Sequence, residues 1–253
     1  MPLAAHAATV ASVESPGKVL KVEVDVSPQG RVSYRVQRNG KPVITDSALG
    51  LRVREGAQLF PFFTLQGQRT ATFDETWEQP WGERRVIRNH YNEWRVTYAE
   101  TGGLQRRVDV VFRLYDDGLG FRYEFPDQPA LKTVRIGSEI TEFNLAENGE
   151  ALWCPAWEWN REEYLYNRTP VDAIGSAQTP MTVKGRSGLH VSIHEAACVD
   201  YAGMNLRRSE GTNFRAQLTP GLTNAAVVRQ APFNTPWRTL QIADTGAGLI
   251  DSS

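Results

Sequence analysis

The chain has 253 residues, 28 of them basic and 29 acidic, for a formal net charge of -1. That balance leaves no electrostatic footprint for nucleic acid or an anionic membrane surface. The longest apolar runs, such as Val110-Val111-Phe112, fall far short of the ~20 residues that a membrane-crossing helix needs, so no nucleic acid and no membrane is expected as a partner.

The length supports a sizeable core without covalent staples. Two cysteines, Cys154 and Cys198, are too few to define a disulfide framework and are expected to be free and buried. Ala5-His6-Ala7 has the form of a signal-peptidase site without the basic and apolar regions that should precede it. Residues 1–16 are therefore expected to be the remnant of a secretory leader or a disordered N-terminus, and the protein to be periplasmic or secreted.

Strand alternation then begins. Leu20, Val22, Val24 and Val26 interleave with charged residues, Pro28-Gln29-Gly30 turns the chain, and Val32, Tyr34 and Val36 return. Asn39-Gly40, a pair that accepts the positive φ of a type I′ turn, leads into Pro42-Val43-Ile44. Trp94, Val96 and Tyr98 alternate next. The clearest hairpin joins Val108–Leu114 to Phe121–Phe125 across Asp116-Asp117-Gly118. Leu189–Ile193, Phe214–Leu218 and Trp237–Ile242 repeat the pattern, and helical periodicity is almost absent. Many short strands with one wet face, punctuated by 21 glycines and 14 prolines, predict an all-β antiparallel sandwich of two large sheets in a single domain over residues 17–243. Residues 244–253 are small and polar, as at the start of a linker.

The strand Leu189-His190-Val191-Ser192-Ile193-His194-Glu195 carries the most chemistry. With a side-chain period of two, Leu189, Val191, Ile193 and Glu195 share the apolar face, while His190, Ser192 and His194 share the other. A half-buried carboxylate must meet an arginine, a metal ion or backbone donors, or else take up a proton. His194-Glu195 begins like a zinc-protease motif, but Cys198 stands where the second histidine should be. G-x-S-x-G and P-loop patterns are absent.

Two aromatic constellations stand out. Trp77-Glu78-Gln79-Pro80-Trp81-Gly82-Glu83, with Asn89-His90-Tyr91-Asn92-Glu93-Trp94 soon after, is expected in or beside loops. Such indoles and carboxylates could stack on and hydrogen-bond a sugar, or could pin loops to the sandwich edge. The denser run Trp153–Asn167 reads as a loop, with a short surface helix as the alternative. Trp157, Glu158, Tyr164 and Tyr166 are its candidate substrate-binding residues.

Trp77 to Glu83, Asn89 to Glu93, Phe112-Arg113-Leu114-Tyr115-Asp116-Asp117-Gly118-Leu119-Gly120-Phe121-Arg122-Tyr123, and Ile193-His194-Glu195-Ala196-Ala197 to Asp200-Tyr201 together resemble glycoside hydrolase family 97, over almost the whole chain. The likeness is to the N-terminal domain of that family. It implies a β-supersandwich of the galactose-mutarotase-like kind, followed in intact members by a (β/α)8 catalytic barrel that hydrolyses α-glucosides or α-galactosides. Residues 244–253 would begin the linker to that barrel. The catalytic carboxylates would lie in the barrel, so no catalytic residue is assigned here and the chain alone is expected to be inactive. Glu195 matches the family glutamate that reaches a calcium ion shared with the barrel. Calcium takes six to eight oxygens, so Glu195 would be one ligand among several.

The implied partners are an oligosaccharide or other α-glycoside and the barrel. A stand-alone carbohydrate-binding module is the alternative, and a mutarotase-like epimerase using a histidine and a carboxylate is a third. The third is disfavoured because His190 and His194 are expected opposite Glu195.

Overall fold

The structure, a computed structural model, describes residues 9–54, 63–158, 164–222 and 224–252. The first sheet has four strands and follows from the alternation. Leu20–Val26 pairs with Val32–Arg38 so that Val22 faces Val36 and Val24 faces Tyr34, all buried. Asn39 and Gly40 take φ of 48° and 75°, the left-handed values a type I′ turn requires, and Lys41–Ala48 follows. Thr9–Glu14 completes the sheet beside Leu20–Val26. This corrects the expectation of disorder through residue 16 for Thr9–Glu14. Ala11 and Val13 alternate with Ser12 and Glu14 and pack against the core, so the later part of that segment is a strand.

Facing it is a ten-stranded sheet whose path runs through Asn167–Pro170, Gly149–Trp153, Met181–Gly185, His190–Ala196, Trp237–Ala243, Gly118–Phe125, Arg107–Leu114, Val86–Glu100 and Phe63–Glu78, with the two-residue strand Phe233–Asn234 paired to Gly118–Phe125 off that path. Its inward residues Trp94, Phe112, Phe121 and Leu240 are fully buried. Each such side chain contributes roughly 1.5–3 kcal/mol by leaving water. Tyr34 of the first sheet lies 5.1 Å from Phe121, and Phe143 of a second four-stranded sheet lies 6.2 Å from the same ring. A three-stranded sheet of Val227–Gln230, Thr133–Glu139 and Leu51–Val53 adds to the side opposite the large sheet. One continuous core joins all of these, and the fold is an all-β antiparallel supersandwich.

Two local expectations change. Asn89–Trp94 lies within the strand Val86–Glu100 rather than in a loop. That strand and Phe63–Glu78 form one long hairpin, paired from Phe63 with Glu100 to Glu78 with Val86, and exposed on its outer strand from Gln68 onward. Phe63, Leu65, Ala71, Phe73 and Trp77 fall at alternate positions of the outer strand, but from Gln68 onward that strand is exposed rather than part of the core. The cysteines are free, but Cys154 is half-buried and Cys198 exposed, because Cys198 falls in a turn just past a strand end. At the C-terminal side, Thr245 accepts a hydrogen bond from Gly248 N at 3.1 Å and caps a short helix, Gly246–Asp251.

Candidate functional site

Glu195 lies one residue from the end of its strand, directly opposite Arg238 on Trp237–Ala243. The apolar face to which alternation assigns Glu195 is the one on which Ile193 and Leu240 are fully buried. The carboxylate finds the compensation its position demands. Arg238 donates from Nη1 to Oε2 at 2.6 Å, and the backbone N–H of Met204 donates to Oε1 at 2.9 Å. The Glu195 side chain keeps 12% of its surface exposed, whereas Arg238 has none.

Arg238 holds a second carboxylate. Its Nε and Nη2 form a fork on Glu139, which is also fully buried, with Nε to Oε1 at 3.2 Å. Burial disfavours the Arg238 charge, but Glu139 outweighs it and raises the guanidinium above its ordinary value. Behind Glu139 the hydrogen bonds have only one possible direction. Gly50 N donates to the Tyr123 hydroxyl at 2.8 Å, and Thr141 donates its single proton to Glu139 at 3.1 Å, so Tyr123 must donate to Thr141 at 2.7 Å. Burial and then the negative charge of Glu139 raise the Tyr123 hydroxyl above the ordinary tyrosine value. A polar chain thus crosses the core from Gly50 to Glu195. The Arg238 guanidinium also lies 5.8 Å from the Tyr201 ring. Burial first, and Glu139 next, push the Tyr201 hydroxyl well above the usual range.

The turn after Glu195 is shaped to return to it. Ala197 and Asp200 take φ of 54° and 49°, costly for residues with a Cβ. Arg229 ties the turn down by donating to the Asp200 carbonyl at 2.8 Å. The chain then passes beside the carboxylate at Gly203, where a Cβ would sit in ordinary contact, 3.6 Å from Glu195 Oε1.

Two concavities flank this strand end. One, about 480 Å³, is lined by Asp200–Gly203, Thr219, Pro220 and Ala226–Val228. The other, about 350 Å³, lies on the outer face of the large sheet and includes Arg113, Tyr115, His194, Trp237, Thr239 and Gln241. There Trp237 lies close to Gly120, with the Arg113 and Arg122 guanidinium carbons 4.8 and 4.4 Å from its ring centre. Glu195 and Leu240 also belong to the wall of this second cleft, although alternation turns both side chains inward. His194 therefore faces one way and the Glu195 carboxylate the other, and they form no acid/base pair.

In the aromatic run, Tyr164 donates its hydroxyl proton toward Glu158, with the carbonyl at 2.8 Å and Oε2 at 3.0 Å. Trp157, at φ 73°, is 39% exposed and Tyr166 is 62% exposed. Trp159 to Glu163 lie outside the described residues. The base of the run reaches the Glu195 neighbourhood through Gln178, whose N–H donates to Cys154 O at 2.9 Å, and Thr179, which donates to Met204 O at 3.2 Å.

Comparison with known proteins now places the chain. The sequence profile described as Glycosyl-hydrolase 97 N-terminal matches residues 13–253. The chain belongs to glycoside hydrolase family 97. The solved structure of a family 97 enzyme from Pseudoalteromonas sp. strain K8 in complex with acarbose superimposes with a TM-score of 0.92 at 39% identity, covering 96% of this chain and 37% of that one. The same enzyme in complex with panose gives 0.91. A probable retaining α-galactosidase of Streptomyces bingchenggensis is 26% identical over 90% of this chain and 34% of its own length. A retaining α-galactosidase of Bacteroides thetaiotaomicron is 22% identical over 80% and 31%. The chain therefore spans about a third of the length of these relatives.

Among the described residues of this family 97 chain, no three histidine, cysteine, aspartate or glutamate side chains converge on a point that could hold a metal ion. Glu195 fits the part of a single ligand. Two of the about four lone-pair positions on a carboxylate are taken by Arg238 and Met204, and its side chain is not fully enclosed. Sequence reasoning placed Glu195 on the buried face and missed the two residues behind it. Arg238 was readable, since Arg238, Leu240 and Ile242 alternate on one face. Glu139 was not, because a bulge between Ile136 and Ser138 shifts the register and brings Glu139, rather than Ser138, inward.

Proposed function

We propose that this chain is the N-terminal accessory domain of an α-glycoside hydrolase, completing a sugar cleft and a calcium site while the catalytic acid and base come from a (β/α)8 barrel. The observation that carries the reading is the superposition of nearly the whole chain on about a third of an enzyme whose structures hold acarbose and panose. Glycoside hydrolysis needs two carboxylates on opposite sides of the scissile bond. In the cluster at Glu195 the second carboxylate, Glu139, is fully buried behind Arg238 and cannot reach a glycosidic oxygen. Glu195 would offer one carboxylate to calcium, with the remaining oxygens supplied from beyond this domain. Bound there, calcium would supply positive charge to a substrate oxygen. Trp157, Glu158, Tyr164 and Tyr166 would border the sugar from the side of the Ser176–Gln178 strand.

Identity to the Pseudoalteromonas enzyme is 39%, against 26% and 22% to the relatives named as α-galactosidases. An oligosaccharide like those in the Pseudoalteromonas structures therefore ranks first, and an α-galactoside second. A periplasmic or secreted location rests on Ala5-His6-Ala7 alone. The test is nitrophenol release from aryl α-glucoside and α-galactoside by the 253-residue chain, with and without millimolar calcium. A folded chain without turnover supports an accessory domain, and turnover above background contradicts it.

A carbohydrate-binding module is the second reading, favoured by Trp77 and Trp81, 46% and 81% exposed on the long hairpin and its turn. Quenching of tryptophan fluorescence by maltose or galactose at sub-millimolar concentration would support it.

A further inference from the structure

The buried cluster contains one guanidinium and two carboxylates, so by formal count it carries one uncompensated negative charge. Where that charge resides follows from the geometry. Glu139 takes two hydrogen bonds from the Arg238 fork in a fully buried site, while Glu195 takes one, from Nη1, and is the only one of the three with exposed surface. We infer that Glu139 and Arg238 are a positioning pair for Glu195: Glu139 neutralises the arginine, which leaves Glu195 its charge for a cation, and Arg238 with Met204 N–H fixes the direction in which the remaining lone pairs point.

Each link in the support is itself fixed. Glu139 is held from behind by Thr141, Thr141 by Tyr123, and Tyr123 by the Gly50 N–H. The cluster joins three elements: Thr133–Glu139 of the small sheet, and Trp237–Ala243 and His190–Ala196 of the large one. The orientation of Glu195 is thereby set by the packing of one sheet on the other. Removing the Glu139 charge would leave Arg238 to be balanced by Glu195 alone, and Glu195, the one member that keeps exposed surface, would lose its attraction for a cation although its own atoms were untouched. Groups one step behind a metal ligand commonly change affinity by about 10–100-fold when altered.

This inference rests on the calcium reading of Glu195, and the experiment separates the two. Calcium binding to the full-length protein would be measured calorimetrically for the wild type and for Glu195→Gln, Glu139→Gln and Glu139→Asp, with melting temperatures of the calcium-free proteins alongside. The expected result is that Glu195→Gln and Glu139→Gln each weaken calcium by at least about tenfold, while Glu139→Asp, which keeps the charge, stays closer to the wild type. Unchanged binding in Glu195→Gln overturns the calcium reading and this inference with it. Weakened binding in Glu195→Gln with unchanged affinity in Glu139→Gln, whatever its melting temperature, overturns the positioning role alone. If Glu139→Gln does not fold, Arg238→Lys decides: it keeps the cation but cannot span both carboxylates, so weaker calcium binding supports the role and wild-type affinity overturns it.

Discussion

The Arg238 cluster and the long hairpin use the same chemistry in opposite surroundings. On the hairpin, Arg88 holds Asp74 with two hydrogen bonds of 2.8 Å, at side-chain exposures of 61% and 46%. In the core, Arg238 holds Glu195 at 2.6 Å and forks onto Glu139 with no exposure at all. The hairpin pair competes with water and salt on every side and is worth little. Arg238 and Glu139 have given up their water, so removing either leaves the other without its fully buried partner. Exposure, rather than distance, decides what each pair does.

The largest break in that comparison is Arg238→Met. It leaves Glu139 buried without a counter-ion, and a urea titration should show a loss of about 3–5 kcal/mol. A loss below about 1 kcal/mol would mean the cluster is solvated in a way its burial does not indicate. Next comes Tyr123→Phe, which strands the Gly50 N–H and removes the donor to Thr141. The same titration should fall by about 1–3 kcal/mol.

Between the core cluster and the long hairpin in burial lies Glu124, on the outer face of the large sheet. Burial opposes its ionisation, yet hydrogen bonds from Arg95 and Arg122 outweigh burial and hold the carboxyl below its usual value. A carboxyl lowered in the folded state contributes stability that is present above the unfolded value, about 4.3, and is lost as pH falls through the lowered folded value. The stability difference between the wild type and Glu124→Gln should therefore hold at neutral pH and close in acid. A difference independent of pH would remove Glu124 from the account. The smallest effect belongs to Arg88→Ala, whose denaturation midpoint should be indistinguishable from the wild type at physiological salt.

How much of this was legible follows the same division between buried and exposed. Alternation works where one face is apolar, which is why the hairpins around Asn39-Gly40 and Asp116-Asp117-Gly118, and the placing of Glu195, could be read directly. Arg238 obeyed the same rule and was overlooked only because a lone arginine in a strand passes as an outward residue. Glu139 defeated the rule through its bulge. The long hairpin defeated it by exposing its outer strand, so that Asn89–Trp94 looked like a loop. The division of the layer facing the large sheet into three smaller sheets depends on which strands pair at long range, and no local pattern records that.

The claim that Glu195 is a prepared ligand is tested most directly by following the melting temperature of the full-length protein through a calcium titration, for the wild type and for Glu195→Gln. A ligand that binds only the folded state stabilises it by about 2.7 kcal/mol at a hundred times its dissociation constant. The wild type should therefore melt progressively higher as calcium rises, and Glu195→Gln should show little of that rise. Equal calcium-dependent rises in both proteins would contradict the account, leaving Glu195 as the far end of a structural ion pair.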